Sequence, residues 1–368
     1  MSLSEPIKAP HKFVALDAFR GIAAIVIVAY HLKDVFSPSL FPHGYLAVDF
    51  FFMLSGFVLT YAYQERLDQG LSTLKFLKTR FARLYPLYGL GLGIYLTFRL
   101  IQNVVHSGTN YLPASVLVPI CVSSLLLVPA PFHYAGLFPF SFPLNPPAWS
   151  LFDEIVVNGL HAFFGRKRSM QSLGMVAAVA CAVLSVSTYR HGSMDFGVSQ
   201  SELLEGIGRT IFSYTTGILL FRVWRGGGWK IEVNPLLPAI LLIAVFIPRI
   251  PLSWRGAYDV VVVVLVMPII LLTGANAKLP VALTSIFESL GLASYAVYML
   301  HFPVFAFFSQ IWTHIVSRGA ELFAPWSGLL YLAILVMLSL FIDRTYDRTA
   351  RAFLRRLLLE RETVSKAS

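Results

Sequence analysis

Charge is what this sequence has least of. Only 13% of its 368 residues are Asp, Glu, Lys or Arg, against about 25% in an average soluble domain. That scarcity excludes a disordered chain, which stays solvated through polar and charged composition. Cysteine is almost missing as well. Cys121 and Cys181 are the only two, both in apolar runs, which excludes a disulfide scaffold and leaves no cysteine metal signature. No Walker or G-x-S-x-G sequence occurs, and no repeat is visible. What is present is apolar. Hydrophobic residues make up 57% and mean hydropathy is +0.70, the composition of a polytopic membrane protein. A net charge of +10 would suggest nucleic acid in a soluble protein. In a membrane protein it reports basic cytoplasmic loops, so no nucleic-acid partner is expected.

A helix needs about 20 mostly apolar residues to cross a bilayer. Ten stretches qualify, at residues 14–33, 44–63, 84–101, 146–164, 173–189, 206–224, 235–249, 256–274, 290–314 and 327–346. Residues 114–132 are also apolar, but they carry Pro119, Pro129 and Pro131 and run into Pro139, Pro143, Pro146 and Pro147. With a cytoplasmic N-terminus and ten crossings, most of the 29 basic residues fall in inside loops. An eleventh span at 114–132 would flip Arg166, Lys167, Arg168 and the loops after them. The expected fold class is therefore all-α: a polytopic transmembrane bundle of about ten spanning helices with both termini cytoplasmic. Residues 114–146 are expected to be re-entrant or lumen-covering, shielded by protein or lining a wet cavity. Residues 1–346 form the membrane domain and 347–368 a basic cytoplasmic tail. Residues 343–362 read as an amphipathic helix anchored on anionic lipid. The first span is no signal peptide, because it lacks a cleavage site and is interrupted by Arg20 and His31.

Polar residues at membrane depth are functional candidates by default. Arg20 and His31 are separated by ten uncharged residues. That spacing puts them on one helix face, about 16 Å apart along the axis. Asp17, three positions before Arg20, is placed to pair with it. The bland alternative makes Arg20 an interfacial anchor and His31 a loop residue. Asp49 is the one charge in the second span and is expected to face a polar interior, toward His31. Ser55-Gly56 reads as a close-packing point. Arg80 and Arg83 share a face at the cytoplasmic boundary, and guanidinium forks match phosphate oxygens; ordinary positive-inside charge explains them equally well. Glu154 lies early in a span after Trp149 and Ser150, with Asp153 about 100° away. His161 reads as a satisfied packing histidine. Tyr295, Tyr298 and His301 are polar intrusions in a late apolar span, either structural or on a substrate path. Glu205 and Arg209 read as a helix-end pair. His11, His43, His106, His133, His191 and His314 read as interfacial or loop residues. No metal spacing occurs among the histidines, so no metal is expected. Gly89 and Gly93 read as a packing motif rather than a dinucleotide turn.

A deep histidine, nearby carboxylates and arginines at the cytoplasmic mouth suit acyl transfer from a phosphate-bearing donor. The arginines would hold the pyrophosphate and 3′-phosphate of coenzyme A. His31 would act as general base on an acceptor hydroxyl. Glu154 or Asp49 would orient the imidazole. An acyl-imidazole intermediate uses the same histidine differently.

Five segments carry a resemblance to a known family. They are LDAFRGIAAIVIVAYH, GYLAVDFFFMLSGFVL, RFARLYP, PPAWSLFDE and SYAVYMLHFPV. In this order, along most of residues 13–345, the chain resembles the acyltransferase 3 family, integral-membrane enzymes that O-acylate surface and exported glycans. The first segment is similar to the family's Arg/Lys-x10-His helix. The resemblance implies a catalytic histidine at His31 with Arg20 as its partner, an Arg-x-x-Arg element at Arg80 and Arg83, and a Trp-Ser-Leu-x-x-Glu element ending at Glu154. It also implies the late Tyr295, Tyr298 and His301 element and a ten-helix core. Asp153 beside Glu154 departs from the usual pattern and leaves the choice of acid open. Some relatives carry an SGNH esterase-like domain that no segment here fits, so a handover outside would need a separate extracytoplasmic enzyme. The expected function is transfer of a short acyl group, acetyl first, from cytoplasmic acyl-CoA to a sugar hydroxyl of a lipid-linked or exported glycan. The rival is a transporter or flippase of a glycan or acyl donor, for which inverted repeats would speak; a sensor or scaffold would not need these charges in the bilayer.

Overall fold

A computed structural model describes residues 12–36, 40–105, 113–131, 139–165, 168–229 and 231–359. The described residues form helices α1 (Val14–His31), α2 (Ala47–Asp68), α3 (Thr73–Val105), α4 (Ala114–Leu125), α5 (Ala148–Phe164), α6 (Met170–His191) and α7 (Leu203–Arg225). They continue with α8 (Leu236–Ala244), α9 (Leu252–Val261), α10 (Met267–Ala275), α11 (Val281–Val316), α12 (Trp326–Ile342) and α13 (Arg348–Leu359). No strand occurs among the described residues; one isolated bridge joins Phe140 and Ser199.

Each of the ten expected spans coincides with a helix. Seven of these segments are both long and apolar enough to cross a membrane. The other three are α5 with 17 residues, α7, which carries Glu205, Arg209, Arg222 and Arg225, and α8 with nine. Nine residues rise only about 14 Å, half of a 30 Å hydrocarbon core at about 1.5 Å per residue. The count of ten is thus approximate, and the helical-bundle class stands.

Lipid gives helices no hydrophobic reason to associate, so small residues decide where backbones meet. On α2 and α7 the contact is reciprocal. A Cβ on Gly56 would sit 2.1 Å from the Tyr214 carbonyl oxygen, and one on Gly217 would sit 2.0 Å from that of Met53. On α1 and α11, a Cβ on Gly21 would meet the Leu290 carbonyl at 2.4 Å. In α3 the tight contact is at Gly91, 3.1 Å from the Met299 carbonyl, while Gly93 meets nothing. The Gly89/Gly93 packing motif is therefore corrected to Gly91.

In the proline-rich segment the helix is short, 12 residues in α4. Helix α4 lies on α3, where Tyr88 Oη donates to the Ser124 carbonyl at 2.5 Å and Tyr85 Oη to that of Leu125 at 2.9 Å. Residues 139–147 run into the bundle, with Phe142, Leu144 and Asn145 buried. Asn145 has a defined task. Pro303 in α11 has no N–H for the Met299 carbonyl four residues back, and Asn145 Nδ2 donates to that oxygen at 3.2 Å. Residues 132–138 of this segment lie outside the described residues.

The start of the basic tail packs on the bundle. A wide turn at Asp343–Asp347 leads into α13, and Tyr346 Oη donates to the Pro86 carbonyl of α3 at 3.2 Å. Asp343 pairs with Arg348 at 2.9 Å, and Asp347 pairs with Arg351. Residues 360–368 lie outside the described residues.

Candidate active site

The two polar residues of α1 both reach α11, as their shared face requires. Arg20 Nε donates to Ser294 Oγ at 2.8 Å, and its Nη2 donates to the Gly291 carbonyl at 3.2 Å. Asp17 Oδ1 lies 3.2 Å from the same Nη2. Further along both helices, His31 Nδ1 and His301 Nε2 are 2.9 Å apart, and the rings lie 14° from parallel.

The hydrogen bonds assign the tautomers. His301 Nδ1 lies 2.7 Å from the Tyr298 carbonyl oxygen. A carbonyl only accepts, so Nδ1 carries the proton and the neutral ring's Nε2 carries the lone pair. That Nε2 accepts from His31 Nδ1–H. The lone pair of His31 is thereby left on Nε2. Tyr331 Oη donates to the His301 carbonyl at 2.5 Å, which fixes the helix that holds the dyad.

A cavity of about 570 Å³ opens beside Arg20. Five cations line it: Lys12, Arg20, Arg80, Arg83 and Arg351. It ends against Ser150, Tyr298 and Met299. Tyr298 lies about 10 Å along α11 from Gly291 at 1.5 Å per residue. Ser150 Oγ donates to the Pro147 carbonyl at 2.9 Å, so Tyr298 Oη, 2.7 Å away, is the donor to Ser150 Oγ. Tyr295 Oη donates to the Leu84 carbonyl at 2.7 Å. Neither His31 nor His301 lines the cavity.

The carboxylates sit elsewhere than their sequence positions suggested. Glu154 accepts from Arg80 Nη2 and Ser55 Oγ, each at 2.7 Å, so it braces α5, α3 and α2 and does not orient His31. Asp49 does not face His31 either. Both its oxygens accept from Arg209, at 2.5 to 3.1 Å, and Ser213 adds a bond at 3.2 Å. The Arg209 guanidinium also donates to the Phe196 and Tyr45 carbonyls at 2.9 Å and lies 5.8 Å from the Trp149 ring. Arg209 is therefore not the helix-end partner of Glu205, which pairs with Arg190 and His191 instead. Asp153, as its 100° offset requires, faces α7 and accepts from Thr210 at 3.2 Å.

Other histidines also depart from expectation. His43 is no interfacial residue: it is fully buried with Nδ1 2.7 Å from Asp259. His161 packs against Tyr214, but among the described residues neither ring nitrogen has a hydrogen-bond partner. His11, His106 and His133 lie outside the described residues. Among those described, no three His, Cys, Asp or Glu side chains group as a metal site would.

Four charged cavity residues went unnoticed in the sequence: Lys12, Glu288, Asp343 and Arg351. Lys12 lies before α1. Arg351 is brought back from α13, and no local spacing links it to Arg80 or Arg83. Arg83 itself projects into the cavity and, among the described residues, makes no ion pair.

Comparison with known proteins agrees with this architecture. A family model described as an acyltransferase domain, that of the acyltransferase 3 family, matches residues 13–343. "Protein 2 in picA locus" of Rhizobium radiobacter is 40% identical over 188 residues, 48% of this chain and 95% of that protein. "Acyltransferase MdmB" of Streptomyces mycarofaciens is 24% identical, covering 88% of this chain and 87% of its own. "O-acetyltransferase OatA" of Staphylococcus aureus is 23% identical over 82% of this chain, which spans 52% of that longer protein. No solved structure matches. A match that runs from the start of α1 to the end of α12 covers the histidine dyad and, of the cavity's cations, Arg20, Arg80 and Arg83, and the chain belongs to the acyltransferase 3 family.

Proposed function

We propose that this protein is a membrane O-acyltransferase. It takes a short acyl group, acetyl first, from acyl-CoA on the cytoplasmic side and passes it to a sugar hydroxyl of a surface, lipid-linked or exported glycan. The membrane is the bacterial cytoplasmic membrane, with both termini inside. The carrying observation is one helix, α1, that joins two unlike chemistries. One end borders a cavity where guanidinium groups converge and where Arg83, among the described residues, makes no ion pair. The other end holds a neutral histidine whose Nε2 lone pair is free. The relatives, one named an acyltransferase and one an O-acetyltransferase, support the acyl reading.

In this reading Arg83, Arg80, Arg20 and Arg351 face the phosphates of the donor. The pantetheine arm runs along the apolar wall toward Tyr298. His31 Nε2 takes the proton of the acceptor hydroxyl as its oxygen attacks the acyl carbon. The carbon–sulfur bond breaks, the sulfur keeps the electron pair, and His31 returns the proton to that thiolate. His301 takes the orienting role that Glu154 and Asp49 were expected to fill. Its Nε2 accepts from Nδ1–H and so stabilises the imidazolium without a carboxylate. The same geometry serves an acyl-imidazole route, in which Nε2 attacks the acyl carbon first.

Mass spectrometry of surface glycans with and without the gene tests the function directly. A mass increment of one acyl group, lost on deletion, is expected. Substrate movement in liposomes without ester formation would favour transport instead. Arg83 is the clean probe of the donor site, since Arg80 also braces Glu154. Arg83→Ala should raise KM for acetyl-CoA about tenfold or more, the size of one charge-assisted hydrogen bond, and leave the acceptor KM within about twofold. An unchanged donor KM would remove the phosphate role.

A further inference from the structure

His31 is half-buried, yet the arginine cavity does not reach it. It is the last residue of α1, about 16 Å along the helix from Arg20. Tyr30 and Asp195 meet at this end, and the charge of Arg255 acts on the Tyr30 hydroxyl. Tyr30 is the neighbour of His31, with ring centroids 5.5 Å apart, and its hydroxyl donates to Asp195 Oδ2. Asp195 lies on the exposed turn between α6 and α7. Arg255, on α9, is within electrostatic reach of the Tyr30 hydroxyl, and among the described residues its buried Nε has no hydrogen-bond partner. The ring of Phe302, from α11, lies 5.2 Å from that of His31 and flanks the same spot.

The geometry points to an acceptor subsite formed by Tyr30, Asp195 and Arg255, built for a carbohydrate that presents neighbouring hydroxyls. This inference rests on the acyl-transfer reading and adds where and how the acceptor binds. A carboxylate accepts from two hydroxyls at once, and a guanidinium donates to ring or hydroxyl oxygens in a planar fork. A vicinal diol satisfies both. A monohydric alcohol or an apolar acceptor would strip water from Asp195 and Arg255 and return too few bonds, which penalises binding. With this subsite the two substrates approach His31 from opposite ends of α1. The donor enters along Arg83 and Arg20, and the sugar docks at the far end of α1, so His31 is the one place where they meet.

The test uses the purified full chain, radiolabelled acetyl-CoA, and surface glycan from gene-deletion cells stripped of esters by mild base. Asp195→Asn, Arg255→Gln and Tyr30→Phe are compared with the unchanged protein. Tyr30→Phe removes a single oxygen and guards against misfolding, which monodisperse elution also checks. The expected result is a KM for the glycan raised about tenfold in Asp195→Asn and Arg255→Gln, less in Tyr30→Phe, with KM for acetyl-CoA unchanged. Glycan KM values within twofold of the unchanged protein would overturn the subsite. So would a fall in kcat alone, since that is what a mere brace between α1 and the turn would produce. If the unchanged protein acetylates no glycan at all, the acyl-transfer reading falls, and the subsite with it.

Discussion

His31→Ala should lower acyl transfer by about 10²- to 10⁴-fold, the range a positioned general base contributes, while the protein still elutes as a folded helical bundle. The loss should be in kcat, with acetyl-CoA still bound in the cavity that His31 does not line. His301 provides the control that separates this chemistry from packing. His301→Ala removes the acceptor for His31 Nδ1–H and should cost less than His31→Ala, on the order of tenfold to a hundredfold, because the base remains but its tautomer is no longer held. His301→Gln, which keeps an acceptor oxygen, should recover part of that loss. Steady-state rates on matched amounts of folded protein decide it. Full activity in His31→Ala would dismiss the dyad as the reacting centre.

Asp49→Ala is expected to fail by another route. The Asp49–Arg209 pair is buried at both ends, and removing one partner of such a pair typically costs about 3–5 kcal/mol because the other charge is left unpaired. The protein should melt at lower temperature in detergent and accumulate poorly in membranes. Arg209 also ties the Tyr45 and Phe196 carbonyls to α7, so the break spreads to the segments around α2. The double change Asp49→Leu with Arg209→Met should recover much of the stability, since neither charge then lacks a partner. Asp49→Asn separates structure from catalysis. Per folded molecule, its turnover should stay near that of the unchanged protein. A specific activity as low as that of His31→Ala would instead make Asp49 part of the reaction.

These two expectations differ because identical sequence signals met different neighbours. His31 and Asp49 both stood out as ionisable groups in apolar spans. In sequence they looked like one site, with Glu154 as a third member. The fold separates them. Asp49 turns to Arg209 on α7, Glu154 turns to Arg80 on α3, and His31 turns to His301 on α11. Which acid orients which base is set by helix–helix contacts between residues 74 to 270 positions apart, and no local spacing encodes these. His301 was visible as a polar intrusion, but its role required the Tyr298 carbonyl, which fixes the proton. Arg351 was hidden for the same reason: a basic residue in a basic amphipathic tail has no local mark of facing a cavity.

The sequence by itself determined that this is a helical membrane bundle. Low charge and long apolar runs permit nothing else, because a lipid-embedded backbone must satisfy its own hydrogen bonds. It also determined that Arg20 and His31 share a face of α1, since the helical repeat allows no other placement. The tertiary structure alone decided who meets whom on that face. Glycine contacts bring α1 against α11 and α2 against α7 at backbone distance. Those approaches, not the charges, select His301 as the partner of His31 and leave Arg83, among the described residues, with no ion pair in the cavity.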